Sequence, residues 1–256
     1  MYDCSSTPVL AHGIEFGDRE LSQALATRVS EVVYDAAGLD ELEDLLSGLS
    51  ATKFETQTVQ RVLSAPRGAI EDWRIGEAFA EAYLNDYRGC QFPWPSSRDL
   101  KNPEASPAGA DLIGFVAVGG VDWFAFGEVK TSYESNYPPR VMHGRDGMNH
   151  QIEALRDRHE KVDALILYIA FRARGTAWWP RFQSAFRSFS NGKNYVIFGV
   201  LVRDVDPNER DLKARCKALA KECPASVSIE LRAFYLPRGV IVDLPNRIPA
   251  KPRRAP

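Results

Sequence analysis

The spacing of apolar positions changes period along this chain, and the changes divide it into helical and extended stretches. From about Asp18 to Val62 the sequence reads as helical, with stretches such as Glu20 to Val33 and Leu39 to Leu46 placing apolar residues three and four apart. A second helix is predicted from about Ala69 to Tyr87, where Gly89 stops it. The next segment, Phe92 to Gly109, carries Pro93, Pro95, Pro103 and Pro107 and reads mostly as loop. The pattern then becomes extended: Asp111 to Val118 and Val121 to Lys130 are β-rich runs separated by Gly119-Gly120, the chemistry of a two-residue hairpin turn. A polar loop from Thr131 to Gly147 leads into a helix starting near Met148. Its apolar positions Ile152, Leu155, Val162 and Ile166 extend it through Phe171, and Trp178 to Phe189 predicts another. Tyr195 to Val202 and Val227 to Leu236 read as buried strands joined by a helix from about Asn208 to Glu222. There is no internal repeat. The order predicts an α/β fold, a mixed central β-sheet flanked by helices, with a helical N-terminal region over 1–66, a main domain over 67–240 and a basic, Pro-rich C-terminal tail over 241–256.

The loop length sets the register: a four-residue loop from Gly119 to Asp122 would put Asp111 opposite Lys130 with Glu128 still on their face, and a three-residue loop would break the alignment. With a two-residue loop, Val118 faces Val121, Phe115 faces Phe124, Ile113 faces Phe126 and Asp111 faces Glu128. Strand alternation puts Lys130 on the same face as Glu128. That face runs from aromatic and aliphatic near the turn to Asp, Glu and Lys at the open end. Two opposed carboxylates repel, and beside a hydrophobic cluster they are also desolvated, so a cation is expected between them. Hard oxygen donors of this kind suit Mg²⁺, which takes one or two carboxylates, keeps several waters and accepts phosphate oxygens. A surface salt bridge on a half-exposed strand is the plainer alternative. Glu77 adds a third acid: it shares a helical stripe with Trp73, Ala80 and Leu84, and either reaches the same site or pairs with Arg74 or Arg88.

Composition changes this picture little. Apolar residues make up 45% and charged ones 26%, which excludes the disordered and fibrous classes. Thirty-two Lys+Arg against thirty-four Asp+Glu leave a net charge of -2, so any binding of nucleic acid must be local. In the tail, Arg247, Lys251, Arg253 and Arg254 read as a solvated basic terminus that could touch phosphates. Cys4, Cys90, Cys216 and Cys223 are scattered without zinc-ligand spacing, as in reduced thiols. No signal peptide or long apolar run is present, and a cytoplasmic protein with no membrane segment is expected.

A helix bearing an acid, then Asp, a hairpin and Glu-x-Lys resembles the PD-(D/E)XK nuclease superfamily. The matching residues are Glu77, Gly109-Ala110-Asp111 and Glu128-Val129-Lys130. The resemblance covers roughly residues 70 to 202 and implies a restriction-endonuclease-like core. It implies Mg²⁺ (or Mn²⁺) held by Asp111, Glu128 and the carbonyl of Val129, with Lys130 positioning the attacking water. Gln151 is similar to a glutamine on the following helix in RecB-like members. Ala110 stands where many members have Pro, and Leu155 where the RecB-like branch often has Tyr, which blurs the subfamily. Gly109 to Phe115, Phe126 to Thr131 and Gly144 to Met148 also resemble the nuclease subunits (HamA) of Hachiman anti-phage systems. That narrower resemblance implies a bacterial defence protein acting on DNA with a helicase partner. A non-catalytic module of the same fold, or a stand-alone restriction enzyme or resolvase, are the alternatives.

Arg140, His143, Arg145 and His150 follow Lys130 and are candidates to meet a DNA backbone, although a polar loop is often simply solvated. Trp178-Trp179, with Arg174, Arg181 and Arg187, could stack on bases but fits core packing better. Gly119-Gly120 lacks the surroundings of a phosphate-binding loop, and no serine or cysteine nucleophile motif stands out.

Overall fold

A six-stranded mixed sheet carries the molecule. In the computed structural model, residues 1–49, 52–63, 70–95 and 109–249 are described. The sheet is built from β1 (Tyr2–Asp3), β2 (Val9–Glu15), β3 (Leu112–Val118), β4 (Val121–Ser132), β5 (Tyr195–Arg203) and β6 (Val227–Tyr235), in the order β1-β2-β6-β5-β4-β3. The two outer pairs are antiparallel and the three inner ones parallel. β5 lies at the centre and all nine of its residues are buried, as expected of a strand covered on both faces. The mixed sheet flanked by helices is the α/β architecture expected from the pattern.

Gly119 and Gly120 adopt φ of +58° and +81°. Both central positions of the favoured hairpin turn require this, and only glycine takes it without strain. The register follows as expected: Val118 pairs with Val121, Phe115 with Phe124 and Ile113 with Phe126, ending at Leu112 with Gly127.

Two layers of helices cover the sheet. On one face lie α1 (Asp18–Ala24), continued by a π-helical turn (Leu25–Val29) and α2 (Ser30–Val33), together with α5 (Asp72–Arg88). They pack on Leu112, Val116, Ala125, Val129, Val200 and Phe234. On the other face α6 (Met148–Asp157), α7 (His159–Ala173), α8 (Trp179–Gly192) and α9 (Lys213–Lys221) enclose Phe115, Phe124, Phe126, Ile197 and Leu231. Residues of β4 alternate between these layers, so Glu128 and Lys130 are in phase with Phe124 and Phe126. A hairpin of α3 (Ala36–Ser47) and α4 (Lys53–Leu63) extends the N-terminal helical region.

Several boundaries differ from the sequence expectation. Residues 2–3 and 9–15, counted with the helical N-terminal region, form strands, and β2 pairs in parallel with β6. The expected single helix from Met148 through Phe171 breaks at Arg158, whose φ of -104° and ψ of 95° are extended. The buried Arg156 guanidinium just before the break donates to Asp157 and to the Leu219 carbonyl. Strand β4 runs to Ser132, two residues beyond Lys130. The start of the expected tail is packed: Ile241, Leu244 and Ile248 are buried, with Leu244–Arg247 forming α10. Lys251, Arg253 and Arg254 of that tail, and residues 96–108 of the Pro-rich loop, lie outside the described residues. No helix among the described residues is long and apolar enough to cross a membrane.

Candidate active site

The open end of the hairpin gathers the charges. Asp111 lies one residue before β3, just past the last paired position, and its Oδ2 accepts a 2.7 Å hydrogen bond from the Val129 N–H. Glu128, 3% exposed, receives a 2.7 Å ion pair from Lys130 Nζ. The hairpin backbone thus brings the Asp111 carboxylate beside the part of β4 that carries Glu128 and Lys130.

Glu77 reaches them from the opposite helical layer. α5 lies so close on β4 that a Cβ added at Gly76 would sit 2.0 Å from Thr131 Oγ1. A larger residue at Gly76 would push the helix away, and the next side chain, Glu77, would move with it. Of the alternative partners expected for Glu77, Arg88 is engaged elsewhere, with Glu230. Arg74 is near enough to favour the Glu77 charge, but no hydrogen bond or ion pair holds Glu77 among the described residues.

Burial raises the pKa of all three acids. Burial, and then the Asp111 charge, push Glu77 up to about 8, against the opposing pull of Arg74 and Lys130. Burial and Asp111 likewise raise Glu128 to about 7, with Lys130 opposing. Asp111 is raised by burial, although the Val129 N–H, Lys130 and Lys161 favour its ionised form. Burial works against the charge on Lys130, but Glu128, Asp111 and Glu77 outweigh it and the lysine titrates above its ordinary range.

Lys161, on α7, is a site residue that pattern reasoning missed. Burial and then Arg158 depress its pKa, while Glu128 and Asp111 act the other way, and its Nζ donates a 2.9 Å hydrogen bond to Gln151 Oε1. Gln151 thus joins the cluster through Lys161. In an unbroken helix, ten residues turn by about 280° beyond whole turns, which separates Gln151 from Lys161. The break at Arg158 brings Lys161 back beside Gln151.

The loop candidates are not drawn in. Arg140, His143 and Arg145 are exposed and His150 is half-buried, and no hydrogen bond or ion pair ties any of these side chains to the acids among the described residues. The loop itself is anchored by the buried Arg203, which donates to the carbonyls of Glu134 and Asn136 and to Asp211 at 2.8 Å. Trp178 and Trp179 pack as core: Trp178 stacks with Phe115 at 6.3 Å and Trp179 with Phe182 at 5.0 Å between centroids. The four cysteines are unpaired, and burial raises every thiol above its ordinary range.

The donor set fits a hard dication. Two buried carboxylates with raised pKa values repel each other less if a cation lies between them. Among the described residues no three His, Cys, Asp or Glu side chains are gathered as a metal-ligand group. The implied set does not need one, since it consists of Asp111, Glu128 and the Val129 carbonyl, completed by water and phosphate oxygens as Mg²⁺ prefers.

The chain matches no protein-family model and no curated protein. Fold and geometry together define an α/β protein that holds three acids and two lysines at one end of its central hairpin.

Proposed function

We propose that this chain is a divalent-metal-dependent nuclease of the PD-(D/E)XK type that hydrolyses DNA phosphodiester bonds. The observation that carries the reading is the cluster itself: Glu77, Asp111 and Glu128, all raised in pKa, beside Lys130 and Lys161 at the end of a buried hairpin. Perturbed acids around specific cations in one cleft are what phosphodiester chemistry needs and what a fold seldom keeps without use. Mg²⁺ or Mn²⁺, held by Asp111, Glu128 and the Val129 carbonyl, would stabilise charge on the phosphoryl oxygens. Lys130 orients the attacking water and counters developing negative charge. Glu77 supplies an auxiliary acid, and Gln151 sets the position of Lys161.

Plasmid cleavage with Mg²⁺ or Mn²⁺ and with EDTA tests this. Glu128→Ala and Lys130→Ala should each lower the rate by about 10²- to 10³-fold while the protein remains folded. Well-folded wild type that leaves DNA intact under every metal and with its natural partner would refute the reading.

The closed Lys130–Glu128 ion pair favours a second reading, a non-catalytic module that docks DNA or another protein. In that case metal would not alter the protein and both variants would behave as wild type. The resemblance to Hachiman nuclease subunits supports a cytoplasmic role in anti-phage defence with a helicase partner, which co-purification with a neighbouring-gene helicase checks. A stand-alone restriction enzyme or resolvase would instead cut defined sequences or junctions without that partner.

A further inference from the structure

Two of the acids, Glu77 and Asp111, line a narrow cleft whose walls also contain Trp73, Arg74, Trp94 and Ile113. Trp73 and Glu77 are four residues apart on α5 and so share a face, one turn apart along the helix. The sequence pattern made Trp73 part of an apolar stripe, yet it is 42% exposed and belongs to neither core, and its ring meets no other ring among the described residues. Trp94 is different: its ring packs edge-on to Phe115 at 5.9 Å and to Trp178 at 6.3 Å, so it is a fixed wall. Arg74 forms no ion pair among the described residues, although its charge acts on Glu77.

Resting on the nuclease reading above, we infer that the rim of the cleft docks an unpaired nucleotide, whose base stacks on the exposed Trp73 while Arg74 meets the adjoining phosphate. Acids line the cleft, which at about 60 Å³ is too small to enclose a base, so the neutral base lies across its rim. An exposed indole that meets no other ring among the described residues gives that base a stacking platform, and stacking tolerates any base because each has a π-face. In a duplex interior those faces are covered by neighbouring pairs, so the strand must be single or opened at this position. One turn further along α5 the bound strand meets Glu77, and with it the acid cluster.

Anisotropy of a fluorescein-labelled oligothymidylate, measured in EDTA at low salt, tests the inference without requiring hydrolysis. Wild type should bind the single strand more tightly than blunt duplex, Trp73→Ala should weaken single-strand binding about tenfold, and Trp73→Phe should restore most of it. In metal-dependent cleavage, Trp73→Ala should raise KM for single-stranded DNA with a much smaller change in kcat. Equal binding by wild type and Trp73→Ala, or a duplex preference in both, overturns the stacking site even if DNA is cut. Failure to cut any DNA would refute the nuclease reading, while the anisotropy result would still decide the stacking site.

Discussion

Two buried charge clusters lie in the same sheet and are built in opposite ways. On β6, Glu230 is 1% exposed and receives both carboxylate bonds from Arg88 Nε, at 3.1 and 3.0 Å, and a 2.7 Å bond from Arg232. Arg232 also reaches His12 Nδ1 at 2.7 Å. Here the acid is saturated by planar guanidinium forks, which match carboxylate geometry and stay charged at any working pH. At the end of the β3–β4 hairpin the balance is reversed. Glu128 meets Lys130, while Glu77 feels the charges of Arg74 and Lys130 but has no hydrogen bond or ion pair among the described residues. The first cluster has the composition of a structural clamp. The second leaves Glu77 without a hydrogen-bonded counter-charge among the described residues, the arrangement that the proposed metal and phosphate chemistry would use.

Mutations should separate the two. The largest stability effect belongs to the saturated cluster: Glu230→Ala strands two arginines and should cost about 3 kcal/mol in urea unfolding. Glu128→Ala should cost far less stability and instead remove metal-dependent cleavage. If Glu128→Ala unfolds the protein as readily as Glu230→Ala, the distinction fails. Next comes pH. Folded Glu128 and Glu77 keep their protons up to about 7 and about 8, whereas an unfolded glutamate releases its own near 4.5. The folded state then binds more protons than the unfolded one between these values, so metal-free stability should fall as pH rises from about 4.5 to about 8 and level off above. Glu77→Gln should flatten that slope and Glu230→Gln should not. A wild-type stability independent of pH across this window would contradict the raised glutamates. The smallest effect is on melting: Mg²⁺ at pH 8 should raise Tm by a few degrees in wild type and leave Asp111→Asn unchanged, since binding to the folded state alone stabilises it.

The hairpin was legible because its causes are local. Gly119-Gly120 dictates the turn, the turn dictates the register, and the register carries Asp111 and Glu128 to the same end of the sheet. Glu77 was legible as an acid on an apolar stripe, although its seating depends on the approach of Gly76 to Thr131, which only tertiary packing reveals. Lys161 was hidden by a helix break at Arg158 that no Gly or Pro marks. Strand β2 was hidden because His12, Gly13 and Glu15 dilute its apolar alternation. Its strand state depends on β6, far along the chain. Trp73 shows the opposite error, in which helical periodicity counted a solvent-facing ring as core.

The pairing of β2 with β6 sets a constraint on biogenesis. His12 and Arg232 meet across 220 residues of chain. The segment 9–15 can therefore find its neighbour only after residues 229–235 have left the ribosome, and until then its strand edge is open to other partners. Completion of the sheet thus waits on a contact distant in sequence, the kind that forms after the local ones.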